Sequence, residues 1–279
     1  MNTFLNGFAP AVTDGYKPTH IDFMVPGNTS AVSNLTPRSN KFFPEAKQAM
    51  SFGHHSAWTR IISLWNETFF NVPYDAVEQM LRVGFDHCYH GLVDIQPLLD
   101  LHKLGYLPIN VWVVPEGELV DMQVPLAIVY NTHPGFPWIV NYLEQIWSNN
   151  TWKMVVNATI AYELRVLCEK HAAITMDDTS KAKDICIDFS GRGMSNHVDS
   201  IHSGMCHLAS HNQSDTIGAV YLIKDLYGEW PANYGAVRAT EHAIATAHIL
   251  YREQQLLDTI PNEKDRKVEA EFRFMLFIS

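Results

Sequence analysis

The sequence predicts an α/β protein in two parts: an N-terminal α+β domain over residues 1–175 and a run of βα units over residues 176–279. Three observations carry this reading. Between residues 184 and 242, short extended runs end three times in a polar signature and then give way to apolar residues at helical spacing. The signatures are Asp188-Phe189-Ser190-Gly191-Arg192-Gly193, Ser214-Asp215-Thr216 and Thr240-Glu241-His242. Leu107 to Val114, rich in Val, Ile and Trp, and the extended Pro125 to Tyr130 flank a Pro115-Glu116-Gly117 turn and read as a small antiparallel β element. Between residues 55 and 105, apolar stripes such as Ile61, Ile62, Leu64 and Trp65, then Val77, Met80, Leu81 and Phe85, read as core-facing helices.

Taken in order, residues 1–40 hold Pro10, Pro18, Pro26 and Pro37 with Gly7, Gly15 and Gly27. Prolines and glycines at that density prevent any long helix and predict an irregular arm, with Phe23, Met24 and Val25 to bury. The helices of 55–105 and the β element of 107–130 follow. After His133-Pro134-Gly135 the pattern predicts two helices, Trp138 to Trp147 and Met154 to His171. The polar stretch Thr175 to Lys183 then reads as the domain boundary.

The βα units come next. Ile185, Cys186 and Ile187 form a short β-type run, and two glycines around Arg192 predict a tight loop. Apolar residues at 194, 198, 201, 205 and 208 then share one helix stripe. Ser214-Asp215-Thr216 has N-cap chemistry ahead of Ile217, Val220, Tyr221 and Leu226, with Gly228 as the stop. Gly235 to Ala239 is extended, and Ala243, Ile244, Ala247 and Tyr251 return to helical spacing. In a parallel α/β sheet, ligands bind at the carboxyl ends of the strands, so Phe189, Arg192, Asp215 and His242 are expected to share one rim. Read singly, Arg192 remains a surface ion pair, Asp215 a helix cap and His242 a core histidine.

Thirty acidic residues against twenty Lys and Arg give a net charge of −10. That balance argues against a broad nucleic-acid footprint and against an anionic membrane surface, while leaving room for a small anion at a local arginine. With no apolar run long enough to span a bilayer and no signal-like start, a cytoplasmic protein is expected. Cys88, Cys168, Cys186 and Cys206 are too few and too scattered for a disulfide framework, so reduced thiols are expected.

Rival chemistries fare poorly. His197, His202, His207 and His211 lie close in sequence, but His202 points away from the others on a helical wheel, and about 15 Å of rise separates His197 from His207. His207 and His211 could pair at i, i+4, yet they lack an intervening Glu and a third ligand. Ser190 sits outside a Gly-x-Ser-x-Gly frame, and Gly191-x-Gly193 lacks the third glycine of a dinucleotide loop.

The order Asp-Phe-x-x-Arg-Gly, then Asp215-Thr216 ahead of Leu226-Tyr227-Gly228, then Glu241-His242, resembles the nicotinamide phosphoribosyltransferases. So do Thr13-Asp14-Gly15-Tyr16-Lys17-Pro18-Thr19-His20, Asn28-Thr29-Ser30, Leu107-Pro108 and Val114-Pro115-Glu116-Gly117. The resemblance implies that residues 176–279 are the first βα units of an incomplete TIM-barrel-like domain. It also implies a salvage step toward NAD, in which nicotinamide and phosphoribosyl pyrophosphate give nicotinamide mononucleotide and pyrophosphate, coupled to ATP hydrolysis with Mg2+. On that basis Phe189 would stack on the base, Tyr16 of a second subunit would cover its other face, Arg192 would contact the amide oxygen or a phosphate, and Asp215 would accept from the amide. Arg38 would reach phosphate from the neighbouring subunit, Ala236 and Val237 would line the pocket, and His242 beside Glu241 would be the phosphoryl acceptor. The family continues well beyond Ser279, and its magnesium ligands lie in that later part. The chain alone is therefore expected not to turn over, and a homodimer and a C-terminal complementing fragment are implied partners. Nicotinate phosphoribosyltransferase and a non-catalytic base-binding fragment are the alternative readings.

Overall fold

The computed structural model describes residues 7–236 and 239–278. The chain packs as two compact units, Met1–Gly235 and Ala236–Ser279.

In the first unit, strands β1 (Val32–Leu35), β5 (Ala127–Asn131) and β3 (Ile109–Val113) form an antiparallel sheet in the order β1-β5-β3, with Ser33 opposite Val129 and Val111 opposite the same residue. A second antiparallel pair joins β2 (Gln48–Met50) to β4 (Leu119–Asp121). The antiparallel element read from residues 107–130 is present, and β1 and β2 extend it. Helices α1 (His54–Trp65), α2 (Tyr74–Tyr89) and α3 (Gln96–Leu104) bury the expected stripes. Ile61, Trp65, Val77, Leu81, Leu98 and Leu101 all lie in one core with Val129 of the sheet. Truncating any one of these fully buried leucines to alanine costs about 2–5 kcal/mol.

The region from 138 to 171 differs from the sequence reading. A short helix α4 (Trp138–Tyr142) is followed by one long helix, α5 (Glu144–Thr175), which runs straight through the Ser-Asn-Asn-Thr stretch where a break was expected. Such residues usually compete with the helix by bonding local backbone. Here Asn150 donates to the carbonyl of Ile146 at 2.8 Å and Thr151 to that of Trp147 at 2.7 Å, so both side chains reinforce the turn before them. Nor does Thr175 to Lys183 separate two compact units. Met154 and Ala158 of α5 share a buried cluster with Met50, Ala57, Met205, Cys206 and Ala219, which joins the chain on either side of that stretch.

The N-terminal arm also packs on its own chain. Lys17 is buried and meets Glu144 of α5 at 2.5 Å, Ser33 donates to the other oxygen of Glu144 at 2.8 Å, and Thr13 donates to the carbonyl of Tyr142. Met24 packs partly against the core, whereas Phe23 and Val25 stay exposed.

Past α5, strands β6 (Ile187–Asp188) and β7 (Gln213–Ser214) pair in parallel, and Gly235 adds a further parallel bridge to Gln213. Helix α6 (His197–Leu208) lies between β6 and β7, and α7 (Ile217–Tyr227) follows β7, which is the βα alternation read from the sequence. Gly228 ends α7 at φ 78, a left-handed conformation natural to glycine. Among the described residues the parallel strands do not close into a barrel.

The second unit is a helical hairpin of α8 (His242–Gln255) and α9 (Glu263–Ile278). Its helices meet through His248 against Phe274 and Phe277, and Arg266 approaches Glu253 at 3.5 Å. The C-terminal apolar run is thus helical, with Phe274 buried and Phe272, Met275 and Leu276 exposed.

Candidate functional site

Asp188, the last residue of β6, organises the rim of the parallel strands. Only 7% exposed, its carboxylate accepts from the Ser190 N–H, the Ser214 hydroxyl and the Thr216 hydroxyl, each at 2.9 Å. Its backbone carbonyl accepts from the Asp215 N–H, also at 2.9 Å. Burial works to raise this carboxyl, but the hydrogen bonds from Ser190, Ser214 and Thr216 outweigh it and hold the group below the usual carboxylate range. One ionised side chain thereby fixes the loop after β6 to the loop after β7.

That arrangement presents the sequence-predicted residues. Phe189 is 58% exposed directly after the anchored Asp188, and Arg192 is exposed on the 3-10 turn Ser190–Gly193. A side chain at Gly191 would stand 2.9 Å from the Ser200 hydroxyl, so glycine lets this turn lie close against α6. The Ser190 and Ser203 hydroxyls meet at 3.0 Å and tie the turn to the same helix. Asp215 lies exposed at the start of the α7 junction. Beside it, Tyr234 donates to the Ser214 carbonyl at 2.9 Å. Burial first, then the charge of Asp215, raise this phenol's pKa. Phe189 and Arg192 after β6 and Asp215 after β7 thus stand at the carboxyl ends of two paired parallel strands.

Of the other predicted residues, Tyr16 and Arg38 lie in the N-terminal part of the first unit. Tyr16 is 55% exposed and has local partners: Asp14 at 3.3 Å, the His20 ring and the Lys17 ammonium. Arg38 is exposed and borders a cavity of about 310 Å³ with Phe42, Phe43, Trp152 and Val156. Ala236, Glu241 and His242 belong to the second unit, where Glu241 is the N-cap of α8 and His242 its first residue. Val237 lies outside the described residues.

Asp188, Ser214 and Thr216 were absent from the predicted site, although all three stand inside its motifs. Thr216 does occupy the N-cap of α7, but its hydroxyl serves Asp188 rather than its own helix, whose cap has no side-chain hydrogen bond. Three of the four clustered histidines have structural partners. His202 Nε2 is 3.1 Å from the Ser56 hydroxyl, and the stacked rings of His207 and His211 reach the carbonyls of Cys186 and Ala161. A larger cavity of about 790 Å³, bordered by His54, Trp58, Trp65, Glu116 and Tyr227, includes none of Phe189, Arg192 and Asp215. Size alone therefore does not mark the rim.

Among the described residues, no three His, Cys, Asp or Glu side chains converge on a possible metal position, and both Asp188 oxygens are already taken by protein donors. No helix among the described residues is long and apolar enough to cross a membrane.

The fold is that of a phosphoribosyltransferase. The chain superposes on human nicotinic acid phosphoribosyltransferase with a TM-score of 0.59 and 18% identity, over 85% of this chain and 40% of that one. In sequence it is related to the nicotinamide phosphoribosyltransferases. It is 33% identical to that of Acinetobacter baylyi over 237 residues, 83% of this chain and 47% of the relative. It is 30% identical to that of Mycoplasma genitalium over 171 residues, 59% of this chain and 36% of the relative. The match to the Xanthomonas campestris protein is 26% over 237 residues. No protein-family profile matches the chain. The chain spans about half the length of the curated relatives it matches most extensively.

Proposed function

We propose that this chain carries the base-binding portion of a pentosyltransferase that joins nicotinamide to phosphoribosyl pyrophosphate, giving nicotinamide mononucleotide and pyrophosphate in NAD salvage. The observation that supports the reading is the Asp188 carboxylate, which joins the loop after β6, where Phe189 and Arg192 lie, to the loop after β7, where Asp215 lies. The relation to proteins named nicotinamide phosphoribosyltransferase supports it.

In this reaction the pyridine nitrogen displaces pyrophosphate at the anomeric carbon through a transition state of cationic sugar character, so the ring must be held rigidly. Phe189 stacks on one face of the base, Arg192 donates to the amide oxygen or a phosphate, and Asp215 accepts from the amide NH₂. In the same proposal Tyr16 and Arg38 act from the second subunit of a cytoplasmic homodimer, on the base and on phosphate respectively. Ala236 and Val237 are pocket walls, and His242 beside Glu241 takes a phosphoryl group from ATP. Magnesium would screen the leaving phosphates when bound, and its ligands would come from the later half that the relatives possess. On this reading, residues 176–279 are the opening βα units of a TIM-barrel-like domain.

A second reading, nicotinate as the base, draws on the name of the structural neighbour. Asp215 favours the amide. Two like charges about 4 Å apart repel by about 1 kcal/mol in full solvent and about 4 kcal/mol near a partly desolvated surface. Competition calorimetry with nicotinamide and nicotinate, on the chain complemented with its C-terminal half, decides between them. Nicotinamide should bind about tenfold or more tighter, and Asp215→Asn should narrow the gap. Equal affinities before mutation would refute the preference, and failure of both bases to bind would refute the site.

A further inference from the structure

The four cysteines are all free thiols, but two of them touch. Cys168, on α5, and Cys186, two residues before Asp188, place their sulfurs 3.4 Å apart, and one donates its S–H to the other. Both are half-buried, so small reagents can reach them, whereas Cys206 is fully enclosed and bonded to the Met154 carbonyl. Cys88 is exposed. Closing the pair to the ~2.05 Å of a disulfide needs a sulfur movement of about 1.4 Å, within the reach of side-chain rotation. Neighbouring groups hold the backbone on one side, since His207 Nε2 lies 3.2 Å from the Cys186 carbonyl. Burial, then the hydrogen bond with Cys186, pushes the Cys168 thiol up to about 11, which keeps it protonated at neutral pH.

We propose that Cys168 and Cys186 are a two-electron redox pair, oxidised by a hydroperoxide to an intramolecular disulfide that ties α5 to the segment leading into β6. In the first step Cys186 gives up its thiol proton and its sulfur attacks the terminal peroxide oxygen. The O–O bond breaks, the other oxygen leaves as an alcohol, or as water from hydrogen peroxide, after taking a proton, and Cys186 becomes a sulfenic acid. In the second step the Cys168 sulfur displaces hydroxide from that sulfenic acid. An S–S bond forms as the S–O bond breaks, and the Cys168 proton leaves with the hydroxide as water. Two thiols and one peroxide thus yield a disulfide, one alcohol or water from the peroxide, and a further water. Because Asp188 follows Cys186 by two residues, the bond also restrains the anchored end of β6.

The test treats the purified chain with stoichiometric hydrogen peroxide, blocks the remaining thiols and maps the peptides by mass spectrometry. The expected first product is a Cys168–Cys186 cross-link within one chain, reversed by dithiothreitol, with Cys206 unmodified. Cys168→Ser should instead accumulate a Cys186 sulfenic acid that dimedone traps. Hydrogen exchange of the amides around residues 185–190 should slow at least tenfold in the oxidised form. Full alkylation of both cysteines under conditions that oxidise Cys88, or cross-links that join two chains, would overturn the pair, and unchanged exchange would overturn the restraint. None of these readouts depends on the base or on turnover.

Discussion

Replacing Asp188 should unlock the rim, and the structure sets the size of the effect. The side chain is almost fully enclosed and serves three donors at 2.9 Å, with Ser214 itself wholly buried. A hydrogen bond to a charged group is worth about 1.5–3 kcal/mol, but three such values do not add, because hydroxyls left without an acceptor turn to other partners. The Ser214 and Thr216 hydroxyls can rotate toward other acceptors, whereas the Ser190 N–H has no rotation to exploit. Asp188→Ala should therefore cost about 3–4 kcal/mol. Asp188→Asn, which keeps the shape and one acceptor oxygen, should cost about 1–2 kcal/mol. Urea unfolding followed by circular dichroism at pH 7 measures both. The pH dependence gives an independent check, because the folded carboxyl lies below its unfolded value of about 3.9. Its contribution is complete above that value and is lost as pH falls through the folded one. The gap between wild type and Asp188→Ala should stay level from pH 8 to 5 and narrow below about pH 4. An alanine variant within about 0.5 kcal/mol of wild type at pH 7 would refute the account of Asp188 as the hub.

Other consequences follow from the same packing. Gly204 lets α6 and α7 touch, since an added Cβ would lie 2.8 Å from Thr216 Cβ and 2.9 Å from Ala219 Cβ. Gly204→Ala should therefore destabilise by about 1–3 kcal/mol despite alanine's better helix propensity, and an unchanged urea midpoint would contradict this. Burial lowers His54, His202, His207 and His211, with His202 brought to about 4. The unfolded chain therefore takes up protons that the folded one refuses, and stability should fall between pH 6.5 and 4; His202→Gln should flatten part of that slope, by on the order of 1–2 kcal/mol. Incubating the complemented protein with labelled ATP should label His242, and acid-labile phosphate persisting in His242→Ala would refute that assignment.

Much of the fold is legible because periodicity is a local property. The stripes of α1 and α2, the antiparallel strands and the strand-loop-helix order after residue 184 each follow from spacing alone, and Gly228 announces its own left-handed stop. The failures share a different cause. Whether Ser-Asn-Asn-Thr breaks a helix depends on where Asn150 and Thr151 turn their side chains, and a hydrophobic cluster then decides that α5 runs on. Thr175 to Lys183 has a linker's composition, but composition does not record that the same cluster joins the residues before it to those after it. Lys17 and Ser33 carry no sign of Glu144, their common partner more than a hundred residues away.

The rim shows the same division between local and distant information. Phe189, Arg192 and Asp215 are visible in the sequence because they stand in polar signatures at the ends of short extended runs, in an order that resembles the nicotinamide phosphoribosyltransferases. Asp188 has the opposite character. It sits inside the most informative motif, yet its importance comes from two hydroxyls contributed by the next strand and the turn after it, so nothing short of the parallel pairing of β6 with β7 reveals it. An exposed ring can be aimed only if the residue before it cannot move. A buried carboxylate with three donors supplies that rigidity at the one position where the chain leaves the sheet.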